Sequence, residues 1–442
     1  MQIADILTKG QLFSGWPWLG HCHPGSPALT FGRTKETCIE PIGAPVSLPF
    51  RTSPAYEAHA KAGAKFREKN GWRRVDYFAV NADPKFENRR PDEPAGENWS
   101  TAIVTEHQAV RHTAGLFDLT SFGKLEVWGP GASELLEWVC SNRVSRGAGQ
   151  LTYTQMLNES GGVIGDVTVG QLAEDGFLMV TGTSAMPHDI EWLRTQATAA
   201  GERISAPFIL QDVTSAWACF GIWGPLSRSI LAPLVEGSLL TEDFPYMQMR
   251  MTTILGVPVR MARVTFVGEL GWEIYVPADY GRWLWQELCD AVTASGGRRC
   301  GYKAIDSLRV EKGYLYLGAD LTGEHTPYES GVGMFVRTGK EFFGHAALEG
   351  AEHPSERLTA LVIDEPYLVL SGGENVRGAD GLVSSITSGG QSHTLEASVA
   401  FAYLPTDLPI GTRLIVDVGG REVSAVTAKQ PLYDPEGVRL RN

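Results

Sequence analysis

Two stretches of the chain repeat one pattern, and that repeat narrows the fold more than any other feature. Leu125-Glu-Val-Trp-Gly-Pro130 runs into Gly131-Ala-Ser-Glu-Leu-Leu136, and Cys219-Phe-Gly-Ile-Trp-Gly-Pro225 runs into Leu226-Ser-Arg-Ser-Ile-Leu231. Each copy reads as a strand, a Trp-Gly-Pro turn and a helix, with proline suited to the first helical turn and serine to the helix N-terminal region. Two such copies, 95 residues apart, point to a duplicated α+β unit. The length of 442 residues leaves room for about three domains at ~150 residues each.

The third domain shows itself by a change of texture after about Gly344. Short β-like runs (Leu358–Ile363, Leu382–Ile386, Val399–Tyr403, Arg413–Val416, Val423–Thr427) are separated by Gly, Pro and Asp turns, as in a small all-β sandwich or barrel. The expected organisation is an irregular Gly- and Pro-rich arm over 1–50, α+β units over 51–215 and 216–345 that interleave, and a β-rich domain over 346–442. Tyr56 to Phe66 has helical composition, and Asn81 to Asn98 reads as a polar, proline-containing loop.

Composition removes several function classes. A net charge of −13 with no basic stripe argues against nucleic acid as a partner. No run approaches the ~18 uninterrupted apolar residues of a membrane span, and the N-terminus lacks the pattern of a secretory signal. Six cysteines (Cys22, Cys38, Cys140, Cys219, Cys289, Cys300) lie far apart with no CxxC, so they read as reduced thiols of a cytoplasmic protein. Gly331-Val-Gly333 lacks the third glycine of a dinucleotide fingerprint, and Gly339-Lys340-Glu341 is not a phosphate-binding loop. Adjacent ligands converge poorly on one tetrahedral ion, so His21-Cys22-His23 reads as a loop turning at Pro24-Gly25, and no metal site is expected.

Two carboxylates stand out. Asp166 lies in Leu157-Asn-Glu-Ser-Gly-Gly-Val-Ile-Gly-Asp166-Val-Thr-Val-Gly, where a two-glycine turn leads into an alternating strand. Aspartate is poor in strands, so it is either a local backbone cap or a site residue. Glu273 lies between Trp272 and Ile274 in a β-rich run whose composition implies burial. A carboxylate there needs donors: an arginine within the fold, or a planar ring with adjacent N–H and NH₂ groups. Asp306-Ser-Leu-Arg309-Val-Glu311-Lys-Gly-Tyr314 reads as a helix with a glycine stop, its charges at i,i+3 and i,i+4 spacing and mostly in surface or interhelix pairs.

At these residues the sequence resembles the aminomethyltransferase (glycine-cleavage T-protein) superfamily of folate-binding proteins. Within it the likeness is to the folate-binding C-terminal portion of dimethylglycine and sarcosine dehydrogenases. It covers roughly 51–442, through Arg51-Thr-Ser-Pro54, Gly71-Trp-Arg-Arg74, Gly115-Leu-Phe-Asp-Leu-Thr-Ser-Phe-Gly-Lys124, Met156-Leu-Asn-Glu-Ser-Gly-Gly-Val163, Val267-Gly-Glu-Leu-Gly-Trp-Glu-Ile-Tyr275, Asp306-Ser-Leu-Arg309, Ile386-Thr-Ser-Gly389 and Pro431-Leu-Tyr-Asp-Pro435.

The resemblance implies a three-domain fold of two related, ferredoxin-like α+β units and a C-terminal β-barrel or sandwich, with tetrahydrofolate as cofactor. It places Asp166 on the family's essential aspartate, Tyr153 on a channel aromatic, Glu273 on the pterin carboxylate and Tyr314 on a folate contact. Val180, Phe266 and Arg337 complete the implied folate-binding set. Phe266 replaces a family tyrosine, Ile305 a family arginine, and Gly165 the first of two paired aspartates. These departures argue against glycine cleavage and for another C1 donor.

The leading expectation is a tetrahydrofolate-dependent methyltransferase, or demethylase. It would move a methyl group from a small N-, O- or S-methylated compound to N5, giving 5-methyltetrahydrofolate. His112 and His188 are candidate acids for the leaving group. The dehydrogenases carry a long flavin domain upstream where this chain has about 50 residues, so amine oxidation by this chain alone is not expected. Two alternatives remain. One is C1 capture to 5,10-methylenetetrahydrofolate with a flavoprotein partner or folate-recycling enzymes; the other is a non-catalytic folate-binding maintenance protein of the iron–sulfur type.

Overall fold

The computed structural model describes residues 49–441 apart from 92–95 and 97. The arm with Trp16, Trp18 and His21-Cys22-His23 lies outside the described residues. A short helix α1 (Tyr56–Lys61) leads into a hairpin of β1 (Ala64–Lys69) and β2 (Trp72–Phe78). The helical reading of 56–66 stops short because Gly63, at φ 77°, turns the chain, and Phe66 then pairs with Val75 across the hairpin. Two short 3₁₀ turns follow, at Ala79–Asn81 and Pro84–Arg89.

The duplicated motif seeds two different sheets. Helix α2 (Thr101–His112) and β3 (Gly115–Asp118) precede β4 (Gly123–Trp128), the first Trp-Gly-Pro turn and α3 (Ala132–Val139). Strands β5 (Leu151–Leu157), β6 (Val163–Ala173), β7 (Gly176–Thr181) and, after α4 (Met186–Ala199), β8 (Ile209–Asp212) complete a sheet ordered β5-β6-β7-β4-β8. The second copy forms β9 (Trp217–Trp223) and α5 (Ser227–Leu231). With β10 (Met249–Ile254), β11 (Val257–Ala262), β12 (Gly271–Pro277), α6 (Ala278–Ala294) and β13 (Arg298–Cys300) it builds a sheet ordered β10-β11-β12-β9-β3-β13.

Residues from both sides of position 215 therefore build this second sheet. At the turns, Gly129 and Gly224 adopt φ 117° and 140°. A β-carbon there would sit 2.7 Å from the Pro207 carbonyl and 2.4 Å from the Thr113 carbonyl, which explains glycine in both copies.

Strand alternation sorts the side chains into layers. Leu125, Val127, Val167, Val169, Phe177 and Met179 enter a core beneath α3 and α4. Phe220, Ile222, Trp272, Ile274 and Val276 enter another beneath α6. The opposite faces of the two sheets meet across a third cluster that includes Leu151, Leu178, Phe117, Cys219 and Tyr275. Helix α7 (Tyr302–Lys312) supplies Ile305 and Leu308 to it.

The C-terminal domain is a closed barrel of β14 (Glu356–Ile363), β15 (Asn375–Arg377), β16 (Val383–Ser392), β17 (Ala397–Pro405), β18 (Arg413–Val418) and β19 (Arg421–Ala428), followed by α8 (Val438–Arg441). The fold is thus α+β with a terminal barrel. No described helix is long and apolar enough to cross a membrane.

Candidate active site between the facing sheets

The turn before β6 is built by its two glycines. Gly161 adopts φ 80°, and a β-carbon on Gly162 would lie 2.0 Å from the Gly323 carbonyl oxygen. Asn158 ties the turn, accepting from the Ser160 and Gly162 N–H groups at 3.0 and 2.9 Å and donating to the Gly323 carbonyl at 2.8 Å. β6 therefore starts in a set register, with Asp166 opposite Gln155 and Thr168 opposite Tyr153. Since Val167 and Val169 point beneath α3 and α4, Asp166 and Thr168 point toward the other sheet, as do Tyr153 and, through its pairing with Thr168, Val180.

Asp166 is not a backbone cap: among the described residues its hydrogen-bonding neighbour is the Tyr153 hydroxyl. Burial pushes Asp166 up to about 7 against that hydrogen bond, and the nearby Asp189 charge adds to the rise. Asp189 is itself fully buried; it accepts from the Thr181 hydroxyl and lies 3.0 Å from Nδ1 of His188. This contact raises the His188 pKa, and the imidazole remains half exposed, stacked with Trp192 at 6.3 Å.

Glu273 stands on the facing sheet. Its neighbours Trp272 and Ile274 enter the core beneath α6, so Glu273 and Tyr275 face the inter-sheet space. Glu273 is 9% exposed and its Oε2 accepts from the Tyr275 hydroxyl at 2.5 Å. No cation lies within ion-pair distance among the described residues, so the arginine alternative is not realised. Burial raises its pKa, against the Tyr275 hydrogen bond and the charge of Lys124. The strand opposite offers Gly221 at its position, and the Trp223 ring and Leu119 lie over that glycine.

Aromatic walls flank this space. Phe266 stacks on Tyr314 at 5.7 Å and lies 6.1 Å from Tyr316. Phe266 and Val180 both pack on the inter-sheet cluster. Tyr153 meets Phe335 edge-on at 4.8 Å, which brings the segment carrying Arg337 to the β5 edge. There the Arg337 backbone donates to the Ser141 carbonyl at 2.9 Å, and its exposed guanidinium donates to the Met334 carbonyl at 3.0 Å.

His112 is not brought to this space by any contact. It is exposed in the last turn of α2 and bonded to Gln108 at 2.8 Å. Among the positions that depart from the family pattern, Ile305 packs in the inter-sheet cluster. A β-carbon on Gly165 would meet the Met156 methyl at 2.4 Å on the other face of the sheet.

Sequence reasoning missed Lys124 and Tyr275. Tyr275 had a signal, since it shares the Glu273 face by the two-residue period; Lys124 alternates with Leu125, Glu126 and Val127 as a solvated face would, and nothing in its strand marks it. The Gly313 stop of α7 holds, at φ 69°. Of the surface and interhelix pairs expected for its charges, the interhelix kind is found: Glu311 bonds to Arg111 of α2 at 2.8 Å. Arg309 bonds instead to Asp320 and Ser388 at 3.2 and 3.1 Å, and both groups lie deep in the protein rather than on a surface.

The facing sheets, capped by the barrel, carry a buried carboxylate without a cation partner among the described residues and a second carboxylate of raised pKa. The GCVT N-terminal domain family matches residues 55–340, and the glycine cleavage T-protein C-terminal barrel domain matches 356–434; the chain belongs to the glycine cleavage T-protein (aminomethyltransferase) family. It is 33% identical over 399 residues to the 4-methylaminobutanoate oxidase (formaldehyde-forming) of Paenarthrobacter nicotinovorans, covering 88% of this chain and 47% of that one.

To the aminomethyltransferase of Symbiobacterium thermophilum it is 31% identical over 396 residues, covering 87% and 97%. To the mitochondrial dimethylglycine dehydrogenase of Rattus norvegicus it is 28% identical over 349 residues, covering 78% and 40%. The chain thus spans less than half of the oxidase and of the dehydrogenase. The fold matches the glycine cleavage system aminomethyltransferase T of Bartonella henselae with a TM-score of 0.73 at 24% identity, over 87% of this chain and 99% of that one. Members of this family are enzymes that transfer one-carbon units with tetrahydrofolate, and tetrahydrofolate is the cofactor.

Proposed function

We propose that the chain transfers a methyl group from a small methylated compound to N5 of tetrahydrofolate, with Glu273 and Asp166 at the two ends of the folate site. The observation that carries this reading is the pair of facing carboxylates. Glu273 is buried without a cation, which suits a ligand that brings two parallel donors. The stacked Phe266 and Tyr314 supply apolar faces for a planar ring. Arg337, exposed and without a carboxylate partner among the described residues, suits the anionic tail of a folate.

Bound there, tetrahydrofolate supplies a nucleophilic nitrogen for the one-carbon unit. The residues of the chain hold the two reactants at attack distance and manage one proton. With its pKa raised to about 7, Asp166 can give a proton to the donor heteroatom as the bond to carbon breaks and then take up the one that N5 sheds once methylated. This favours an O-methyl or amine N-methyl donor, whose leaving atom takes up a proton. His188 borders Asp166 through Asp189 and can relay a proton to solvent.

A second reading is capture of a formaldehyde-level unit as 5,10-methylenetetrahydrofolate beside a flavoprotein. It is favoured by the likeness to an oxidase named as formaldehyde-forming. Incubation of the purified protein with tetrahydrofolate and a panel of N-, O- and S-methyl donors, with folate products identified by mass, separates the two. 5-Methyl product from one donor supports the first reading. Methylene product alone, and only with formaldehyde or a flavoprotein present, replaces it with the second.

A further inference from the structure

We infer that Lys124 is a positioning residue of the folate site, whose buried ammonium holds Glu273 as the carboxylate that grips the pterin. The inference rests on the folate reading of Glu273 and deepens it by naming what keeps that group charged.

The geometry comes from the strand register. Leu125 and Val127 of β4 enter the core beneath α3 and α4, so Lys124 points to the inter-sheet space that Glu273 and Tyr275 face from β12. Lys124 is fully buried. Its Nζ donates to the carbonyls of Thr120 and Phe122, each at 2.9 Å, and so is clamped to the turn before its own strand. Two of three ammonium protons are used, and no carboxylate lies within ion-pair distance among the described residues. A buried charge left in that state is costly, and a purely structural role at the two carbonyls would be served as well by a neutral donor.

The surrounding groups single out Lys124. Facing Glu273 are Tyr275, which donates a hydrogen bond, and Tyr246 and Cys219, both held neutral at ordinary pH by burial. Asp118 lies toward Lys124 but is already paired with His59 at 2.6 Å, and Arg51 lies on the lysine side. Among the described residues Lys124 is the one cation acting on Glu273. Burial brings the Lys124 pKa down to about 8, with the charges of Asp118 and Glu273 among those that oppose the fall.

The sign is definite. Glu273 must be ionised to accept two N–H groups, so folate binding fades as pH falls through its pKa. Without the Lys124 charge that pKa rises, and the loss begins at higher pH. On the alkaline side, affinity declines as Lys124 gives up its proton near 8.

Tetrahydrofolate binding by the full chain is to be measured anaerobically by calorimetry from about pH 5 to about pH 9, in the native protein, K124M, K124R and E273Q. K124M is expected to move the acid limb up by about one pH unit and to weaken binding about tenfold at its foot. K124R is expected to keep the native acid limb and abolish the alkaline decline. An unmoved limb in K124M, with E273Q weakened, overturns the role of Lys124 and leaves the folate reading standing. Native-strength binding by E273Q overturns both. Should K124M fail to fold, the native protein still decides: affinity that stays flat through pH 8 and above overturns the inference.

Discussion

Two regions of this molecule bury charge, and they do it in opposite ways. Where the barrel meets the α+β body, Glu269 and Glu311 are almost wholly buried, yet every oxygen has a partner. Arg111 reaches Glu269 at 2.9 Å and Glu311 at 2.8 Å. Arg439 and Tyr433 reach Glu269, each at 2.8 Å, and Ser392 and the Thr394 backbone reach Glu311 at 2.7 and 2.8 Å. His107 and Arg111 hold the Glu311 pKa well below the ordinary carboxylate range despite its burial.

Between the facing sheets, Glu273 and Lys124 are also buried and Asp166 half-buried, but none has an opposite charge at contact distance among the described residues. Their pKa values move toward neutrality instead: up for the acids, down for the lysine. In the proposed reading the unsaturated charges are those a ligand would satisfy.

The largest expected effect breaks the first region. Arg111→Met removes the cation that two buried carboxylates share, and the loss expected in denaturant unfolding is about 3–5 kcal/mol; a loss near zero would mean that the junction is not held by this network. Glu311 also makes the junction acid-sensitive. Its depressed pKa adds stability above the ordinary carboxylate value of about 4, and that stability is lost as pH falls through and below it.

In the second region the same kind of change should cost function and spare the fold. Asp166→Asn is expected to lower turnover about 10³-fold while tetrahydrofolate binding, read by calorimetry, stays within a few-fold of native. Turnover of the native enzyme should decline as pH rises through about 7, where Asp166 gives up its proton. Because this group is held protonated in the fold, its ionisation also costs stability between about pH 4 and about 7, and the variant should show a flatter slope there. Glu273→Gln is expected to weaken tetrahydrofolate binding about 100-fold, or ~2.7 kcal/mol, with a melting temperature equal to or above native. A fall in melting temperature of the Arg111 kind would erase the contrast between the regions. The smallest effect is at His112: His112→Asn should leave turnover unchanged, since its one hydrogen bond is to Gln108 on the exposed side of α2.

The candidate site was partly legible before the structure. Asp166 and Glu273 stood out because a carboxylate inside an alternating or apolar strand is locally unfavourable, and local misfit can be read from neighbours. The partners of the α7 charges were not legible that way. The spacing of Asp306, Arg309 and Glu311 fits surface or interhelix pairs without naming the partner: Arg111 lies 200 residues from Glu311 and Ser388 lies 79 from Arg309. Lys124 was overlooked for the same reason: nothing within its strand shows that its side chain ends between two sheets.

Local rules fixed much of this protein from the sequence alone. The two-residue period assigned faces to the strands, the Trp-Gly-Pro turns and Gly313 set where elements begin and end, and regularly spaced short runs announced the C-terminal β-domain. These depend on contacts within a few residues. Only the tertiary structure decided which buried charges are neutralised and which are left open, because a charge is satisfied by whatever the fold brings within hydrogen-bonding distance, from any separation along the chain. That difference, invisible in the order of residues, is what separates the junction from the site.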